Sequence, residues 1–432
     1  MSPSSSSLLW TSLFAVALAA SLGLRAWLSA RQVRHVALHR DDVPAPFRAS
    51  IPIEAHRKAA DYTLARARLG HWQMVFGAVV LLGWTLFGGL DALNVAVRDS
   101  VAPAGGGLAY QLALVTAFVL IGGLLELPFD LYSTFRLEQR FAFNRTTWRL
   151  WLADAVKGLL LAAVIGWPLL ALVLWIMAAS GPLWWLWAWA AWMAIVAAGQ
   201  VLVPTVIAPL FNRFVELSDA SLKERIHALM ARAGLAASGL FVMNGSRRSA
   251  HANAYFTGFG KAKRVVFFDT LLARLAPAEI EAVLAHELGH FKLRHIVKRM
   301  VLMAVVTLAF FALLGWLATR AWFFTGLGVA PNLTAPNDAL ALLLVLLALP
   351  VFTLFATPLA ARRSRRDEFE ADAFACAQAN GDDLASALLK LHEDNATTLT
   401  PDPLYARFYY SHPPAVERLA ALSRQPSHLA TP

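Results

Sequence analysis

His286-Glu287-Leu288-Gly289-His290 sets two imidazoles four positions apart. On a helix such residues project from one face, about one turn apart, so both rings can reach a single Zn²⁺ at roughly 2.0–2.1 Å. Glu287 follows the first imidazole and points to the side, where it can take a proton from a water that the ion activates. This is the H-E-x-x-H pattern of zinc metalloproteases. The flanking residues predict a helix. Pro277 suits its first turn, Glu279 and Glu281 favour its positive end, and Ala278, Ala282, Leu284, Ala285 and Leu288 are good helix formers. Gly289 costs about 1 kcal/mol against Ala in a helix. A residue that small lets another backbone or a substrate come close to the metal face.

Outward from this helix the chain is mostly membrane. It is 58% hydrophobic over 432 residues, with a mean hydropathy of +0.54, too apolar for an ordinary soluble enzyme. Uncharged stretches near 8–24, 72–90, 107–125, 158–178, 183–208, 300–319 and 339–358 are each of a length to cross about 30 Å of hydrocarbon. The first can extend past Arg25, whose long side chain snorkels. Pro204, Pro209, Pro350 and Pro358 are expected to kink or end helices five and seven. No basic residue precedes Leu8, so the first stretch reads as an uncleaved anchor rather than a signal peptide. The lone Cys376 excludes an internal disulfide framework and is expected to pack within a helix.

Charge sets the topology. Residues 31–69 hold eight Lys or Arg, and 126–157, 209–299 and the tail after 358 are also basic, whereas the intervening loops are nearly bare. The odd loops are therefore expected to face the cytoplasm, with the N-terminus outside. Both hydrophilic segments, 209–299 and 359–432, then fall on the cytoplasmic side. The net charge of +10 fits a basic face beside anionic lipid headgroups rather than nucleic acid.

The two segments carry the chemistry. Asp219 to Gly234 reads as an amphipathic helix with Leu222, Ile226, Leu229 and Met230 on one side. Leu240–Met243 and Val265–Phe268 read as strands, with His251–Phe256 a further strand ending at a Gly258/Gly260 turn. An edge strand beside the zinc helix could hold an extended peptide by its backbone, or could simply connect elements. A hydrolytic zinc needs a third protein ligand and an open position. Glu368 fits the ligand, and Asp372, on the same helix face, fits an acceptor for the N–H of His286 or His290. Glu370 falls on another face and reads as a solvated partner of Arg362, Arg363, Arg365 or Arg366, a neutral control for Glu368. His295 is out of phase with the motif and reads as structural or supporting.

Taken together, these residues resemble the type I CAAX prenyl endoprotease family of integral-membrane zinc proteases. The resemblance is carried by His286–His290 with Phe291-Lys292-Leu293-Arg294-His295 behind it, and by Ser249–Phe256 followed by Phe268–Leu272. It extends to Glu368–Phe374, Ser411-His412-Pro413-Pro414 with Glu417-Arg418, Leu127-Pro128-Phe129, and Pro204–Asn212. It implies a mainly α, polytopic fold: seven transmembrane helices forming a barrel around a water-filled chamber, with a small α+β zinc-protease domain closing one end. The parts are then 1–208 (five transmembrane helices), 209–299 (the zinc helix), 300–358 (helices six and seven) and 359–432 (the third ligand). It implies one Zn²⁺ per chain on His286, His290 and Glu368, with Glu287 as base and Asp372 as orienting group or proton donor. It also implies that His412 and Arg418 lie near the substrate carbonyl, and that Asn253 and Ala254 pair with the substrate. The activity implied is endoproteolysis of peptide or protein substrates, lipid-modified or not, including removal of three residues after a prenylated cysteine.

The tail Pro426–Pro432 carries no endoplasmic-reticulum retrieval signal, and richness in Ala, Leu and Arg suits a GC-rich bacterium. The expectation is a bacterial inner-membrane protein, for which membrane-protein quality control without a prenyl substrate is the alternative. A transporter with a structural zinc, using Glu126 and Asp130 near hydrocarbon depth, is the reading from another class. It leaves Glu287 without a purpose.

Overall fold

The computed structural model describes residues 4–235, 239–257 and 264–424. The Gly258/Gly260 turn and the tail after Arg424 lie outside them. The membrane part is a set of long helices: α1 (Ser5–Leu38), α2 (Ile53–Trp84), α3 (Gly89–Tyr132), α4 (Trp148–Ala179) and α5 (Gly181–Phe211). Six helices among the described residues are long and apolar enough to cross a membrane. The expected spans at 8–24, 107–125, 158–178, 183–208, 300–319 and 339–358 fall on these six.

The expected span at 72–90 is not among these six, and its bounds differ. Helix α2 stops at Trp84, and the chain reverses through Gly88, whose φ of 76° suits glycine. A Cβ on Gly89 would sit 2.6 Å from the Gly83 carbonyl oxygen, so only glycine permits this close reversal. The uncharged end of α2 from Trp72 is about 20 Å long, short of the hydrocarbon thickness. The rest of α2 is charged, and the helix is not among the six. Helix α3 in turn breaks at Gly106, where φ is 72°, so its long apolar half begins where the third span was expected. Pro204 sits in a π-helical turn and Pro209 in the last helical turn of α5. Few or no residues in the most apolar stretches of α3, α4 and α5 are buried. Helices that wall an open interior have this property, facing lipid on one side and the chamber on the other.

The second part is α+β. Strand β1 (Phe214–Glu216) leads into α6 (Ala220–Arg232), which Asp219 caps by accepting from the Leu222 N–H at 3.0 Å. Leu222, Ile226, Leu229 and Met230 are buried, as the periodicity predicts. Strands β2 (Gly239–Met243), β3 (Ala254–Thr257) and β4 (Arg264–Phe268) complete a sheet of order β1-β2-β4-β3. Strand β2 runs parallel to β4, and β3 pairs antiparallel with β4, Ala254 opposite Phe267. Expected to begin at His251, this strand begins at Ala254. Helices α7 (Pro277–Lys292), α8 (His295–Leu317), α9 (Asp338–Thr353), α10 (Thr357–Gln378) and α11 (Gly381–Asp394) follow. Pro350 lies in α9 just before its end, and Pro358 in the first turn of α10. Short α12 (Pro403–Tyr409) and α13 (Ala415–Leu422) end the described chain.

One core joins sheet and helices: Leu240, Val265 and Phe267 pack with Ala285 and Leu288 of α7 and Cys376 of α10. Two further ties bind the C-terminal segment to α1. Gln32 accepts from the Asp402 N–H at 2.7 Å, and Arg31 pairs with buried Asp402 at 2.9 Å.

Candidate metal centre

Helix α7 is held at its start by Glu279, which accepts from the Ala276 N–H at 2.7 Å and is itself gripped by Lys390 and Ser386 of α11. Its far end leans on α10 at Gly289. A Cβ there would lie 3.0 Å from the Ala371 Cα and 3.1 Å from its carbonyl oxygen. The sequence left open whether backbone or substrate needs that space. It is the backbone of α10.

This contact brings Glu368 against the two motif histidines. His286 Nε2 and His290 Nε2 are 3.3 Å apart. Glu368 Oε2 lies 3.4 Å from the first and Glu368 Oε1 3.3 Å from the second. A tetrahedral ion bonded at 2.0–2.1 Å holds its ligand atoms about 3.3–3.4 Å apart, so this triangle has the dimensions of a zinc site. Glu368 Oε2 is buried and makes no hydrogen bond among the described residues. A buried carboxylate oxygen without a donor is costly unless a cation faces it. Two imidazoles and a carboxylate also suit zinc chemically.

Each histidine is held from behind. His286 Nδ1 is 2.8 Å from Asp372 Oδ1, and Arg418 grips Asp372 with Nε at 2.9 Å and Nη2 at 2.5 Å. The network assigns the Nδ1 proton to His286, donated to Asp372. Arg418 is buried and spends its fork on Asp372, so it stands behind His286, with Nη1 4.0 Å from Glu368. On the other side His290 Nδ1 meets His295 Nδ1 at 3.0 Å, and His295 Nε2 meets Glu370 Oε2 at 3.1 Å. Glu370 is held in turn by Arg366 at 2.9 Å. Glu370 thus pairs with Arg366 as expected, and through His295 it also reaches the His290 ring. Arg294, in the left-handed conformation at φ 58°, turns the chain between α7 and α8 and brings His295 into this position.

The Glu287 side chain makes no hydrogen bond or ion pair among the described residues. Burial, and the neighbouring Glu368 charge, raise its carboxyl above the ordinary value against the pull of His286, His290 and Arg418. Desolvation lowers the pKa of His286, but Asp372 and Glu368 outweigh it and raise the ring to about 9. His412 Nε2 is 3.5 Å from Glu368 Oε1 on the open side. Burial and nearby cations lower its pKa, though with 67% of the side chain exposed, solvent moderates the effect. Ala254 lies on the terminal strand β3, and the Asn253 side chain accepts from the Ala254 N–H at 2.8 Å. Asp130 accepts from the Trp151 indole at 3.1 Å, a structural contact at the end of α3.

Comparison with known proteins agrees with this geometry. Residues 32–213 match the family model "CAAX prenyl protease N-terminal, five membrane helices", and residues 216–425 match "Peptidase family M48". The chain is 34% identical to an Arabidopsis thaliana "CAAX prenyl protease 1 homolog" over 92% of its own length and 93% of the relative's. It is 32% identical to "CAAX prenyl protease 1" of Saccharomyces cerevisiae over 93% of each chain. The crystal structure of S. mikatae Ste24p superposes with a TM-score of 0.88 at 30% identity, covering 96% of this chain and 98% of that one. A transporter is not favoured by these matches, nor is a quality-control protease. The chain therefore belongs to peptidase family M48 in its CAAX prenyl protease branch, and it is a multi-pass membrane zinc metalloendopeptidase.

Proposed function

We propose that this enzyme cleaves near the C-terminus of membrane-associated, CAAX-type substrates, using one zinc ion per chain held by His286, His290 and Glu368. The observation that carries the reading is the triangle of Nε2, Nε2 and carboxylate oxygens at 3.3–3.4 Å, with an unbonded oxygen of Glu368 in it. Bound there, zinc would lower the pKa of a water towards about 7 and polarise the scissile carbonyl.

The chain's own residues do the rest. Glu287 accepts the water proton on its carboxylate and hands it to the leaving amine. Its raised pKa favours the second transfer. Asp372, clamped by Arg418, fixes the His286 ring, and His295 with Glu370 fixes the His290 ring. His412 faces the open side and offers an N–H to the carbonyl oxygen as charge develops there. Arg418, already committed to Asp372, contributes its positive charge from behind the ligands rather than a direct hydrogen bond. The β3 edge at Asn253 and Ala254 holds the substrate as an added strand. In this reading 1–208 and 300–358 form the chamber, 209–299 and 359–432 form the centre, and the basic loops set the centre on the cytoplasmic side of a bacterial inner membrane.

The test is cleavage of matched prenylated and unprenylated C-terminal peptides by purified enzyme, with product masses and zinc content measured. Release of the last three residues of the prenylated peptide, with one zinc per chain in the wild type and loss of zinc in His290→Ala, is the expected result. Full zinc occupancy in His290→Ala would refute the ligand set. Equal cutting with and without the prenyl group would favour general membrane-protein quality control.

A further inference from the structure

A cavity of about 990 Å³ opens between α1, α2, the end of α3 and α12. Its lining includes Arg25, Arg66 and His71 together with Tyr405, Tyr409 and Tyr410, and no Asp or Glu is among the described residues that line it. Arg25 lies within a membrane-spanning helix. Its Nε is buried without a hydrogen-bond partner among the described residues. Arg66 meets Tyr62, with its guanidinium 5.6 Å from the ring centroid and 3.4 Å from the hydroxyl, and pairs with no carboxylate among the described residues. An arginine at membrane depth is ordinarily paired, or marks the path of an ion or substrate. Here two arginines and a histidine share one cavity, and the missing partner is an anion.

We propose that this cavity is a subsite for the C-terminal carboxylate of the substrate peptide, with Arg25 and Arg66 as the groups that hold it. The inference rests on the peptidase reading above and adds to it a basis for cutting near a chain end. The cavity and the metal centre are linked along the chain, through Tyr410 in the cavity wall and His412 beside Glu368. Tyr410 in its wall is two residues from His412, a backbone reach of at most about 7 Å. Three extended residues beyond a scissile bond reach about 10 Å, so a carboxylate anchored close behind the centre would set a short C-terminal product. Arg25 and Tyr409 both line the cavity. Arginine suits the role because its planar fork matches both oxygens of a carboxylate and stays charged at every working pH. An anionic lipid headgroup shares part of this chemistry, and the test separates it.

The experiment compares two peptides that differ only at the C-terminus, a free carboxylate and an amide, with full-length enzyme in neutral detergent. Wild type should prefer the acid by roughly 10–100-fold in kcat/KM, the value of a charge-assisted contact. In Arg25→Gln and in Arg66→Gln the acid should fall towards the amide's rate, so that the ratio approaches one. Arg25→Lys should keep part of the preference. Equal cutting of acid and amide by wild type overturns the proposal without any variant, as does an unchanged ratio in both glutamine variants. Acid preference abolished by phosphatidylglycerol at catalytic detergent ratios would reassign the cavity to lipid and likewise overturn it. If wild type cuts neither peptide while retaining zinc, the peptidase reading itself fails, which is a different result.

Discussion

Replacing Gly289 with Ala tests how tightly the two helices of the metal centre are coupled. The new Cβ would stand 3.0 Å from Ala371 Cα, 3.1 Å from Ala371 O and 3.2 Å from Phe374 Cβ. Two of these atoms are backbone and cannot swing aside, so α10 must retreat by about 0.4 Å or more to reach ordinary contact. Glu368 and Asp372 ride on that helix, one turn apart, around Ala371. Ligand distances tolerate only about 0.2 Å. The local energy terms nearly cancel: alanine gains about 1 kcal/mol in helix propensity, and overpacking costs about 1–3 kcal/mol. The expected outcome is a melting temperature close to wild type with zinc affinity and turnover reduced about 10–100-fold, the scale of disturbed ligand support. Chelator competition measures the affinity, and thermal unfolding with metal in excess measures the fold. Wild-type zinc affinity in Gly289→Ala would show that α10 relaxes without moving Glu368, and the coupling argument would be wrong.

Three further outcomes follow from the same centre. Glu287→Gln should retain zinc by elemental analysis and lose about 10²–10⁴-fold in kcat, since the base acts in the chemical step alone; near wild-type turnover would remove Glu287 from the mechanism. Asp372→Asn and Glu370→Gln should each weaken zinc binding or activity by about 10–100-fold, and a neutral Glu370→Gln would mean that His295 steadies His290 unaided. The third concerns pH. His286 rises from 6.5 to about 9 in the folded chain, so the stabilisation by its protonated form is complete below pH 6.5 and is lost as pH climbs through 9. The melting temperature of chelator-treated enzyme should fall across that window while zinc-loaded enzyme does not follow it, and a flat profile without metal would argue against the Asp372 and Glu368 pairing.

The elements that sequence made legible are those with a strong local signal. Asp219 before an amphipathic run, Pro277 before the motif helix, and the β-branched and aromatic run at 264–268 each form as their chemistry dictates. The convergence of His286, His290 and Glu368 was also readable, because i,i+4 spacing puts two imidazoles on one face and a second helix carries Glu368 in phase with Asp372. What failed depends on contacts remote in sequence or on backbone reversal. Hydropathy across 72–90 does not register the Gly83–Gly89 approach that splits it. The wheel position of Glu370 points away from Glu368, and nothing local reveals that Arg294 turns His295 back to meet it. Strand β1 was missed because three residues are too few to carry a period. Arg418 was expected beside the substrate, and only the folded chain reveals its grip on Asp372. The signal that could have found it is Asp372 itself, since a buried carboxylate facing only a neutral imidazole calls for a cation.

The centre is assembled from two stretches far apart along the chain, and the later one has a consequence for the order of events at the ribosome. His286, Glu287 and His290 emerge early, but Glu368, Asp372, His412 and Arg418 follow only near the end. Synthesis runs from the N-terminus, and domains fold as they appear. The helices up to His295–Leu317 can therefore be inserted before Glu368 joins the chain, and Arg418 follows last of these residues. A chain that has grown only to residue 358 carries the apolar helices without Glu368, Asp372 and Arg418. Assembly of the centre therefore waits for the last-made of the described helices.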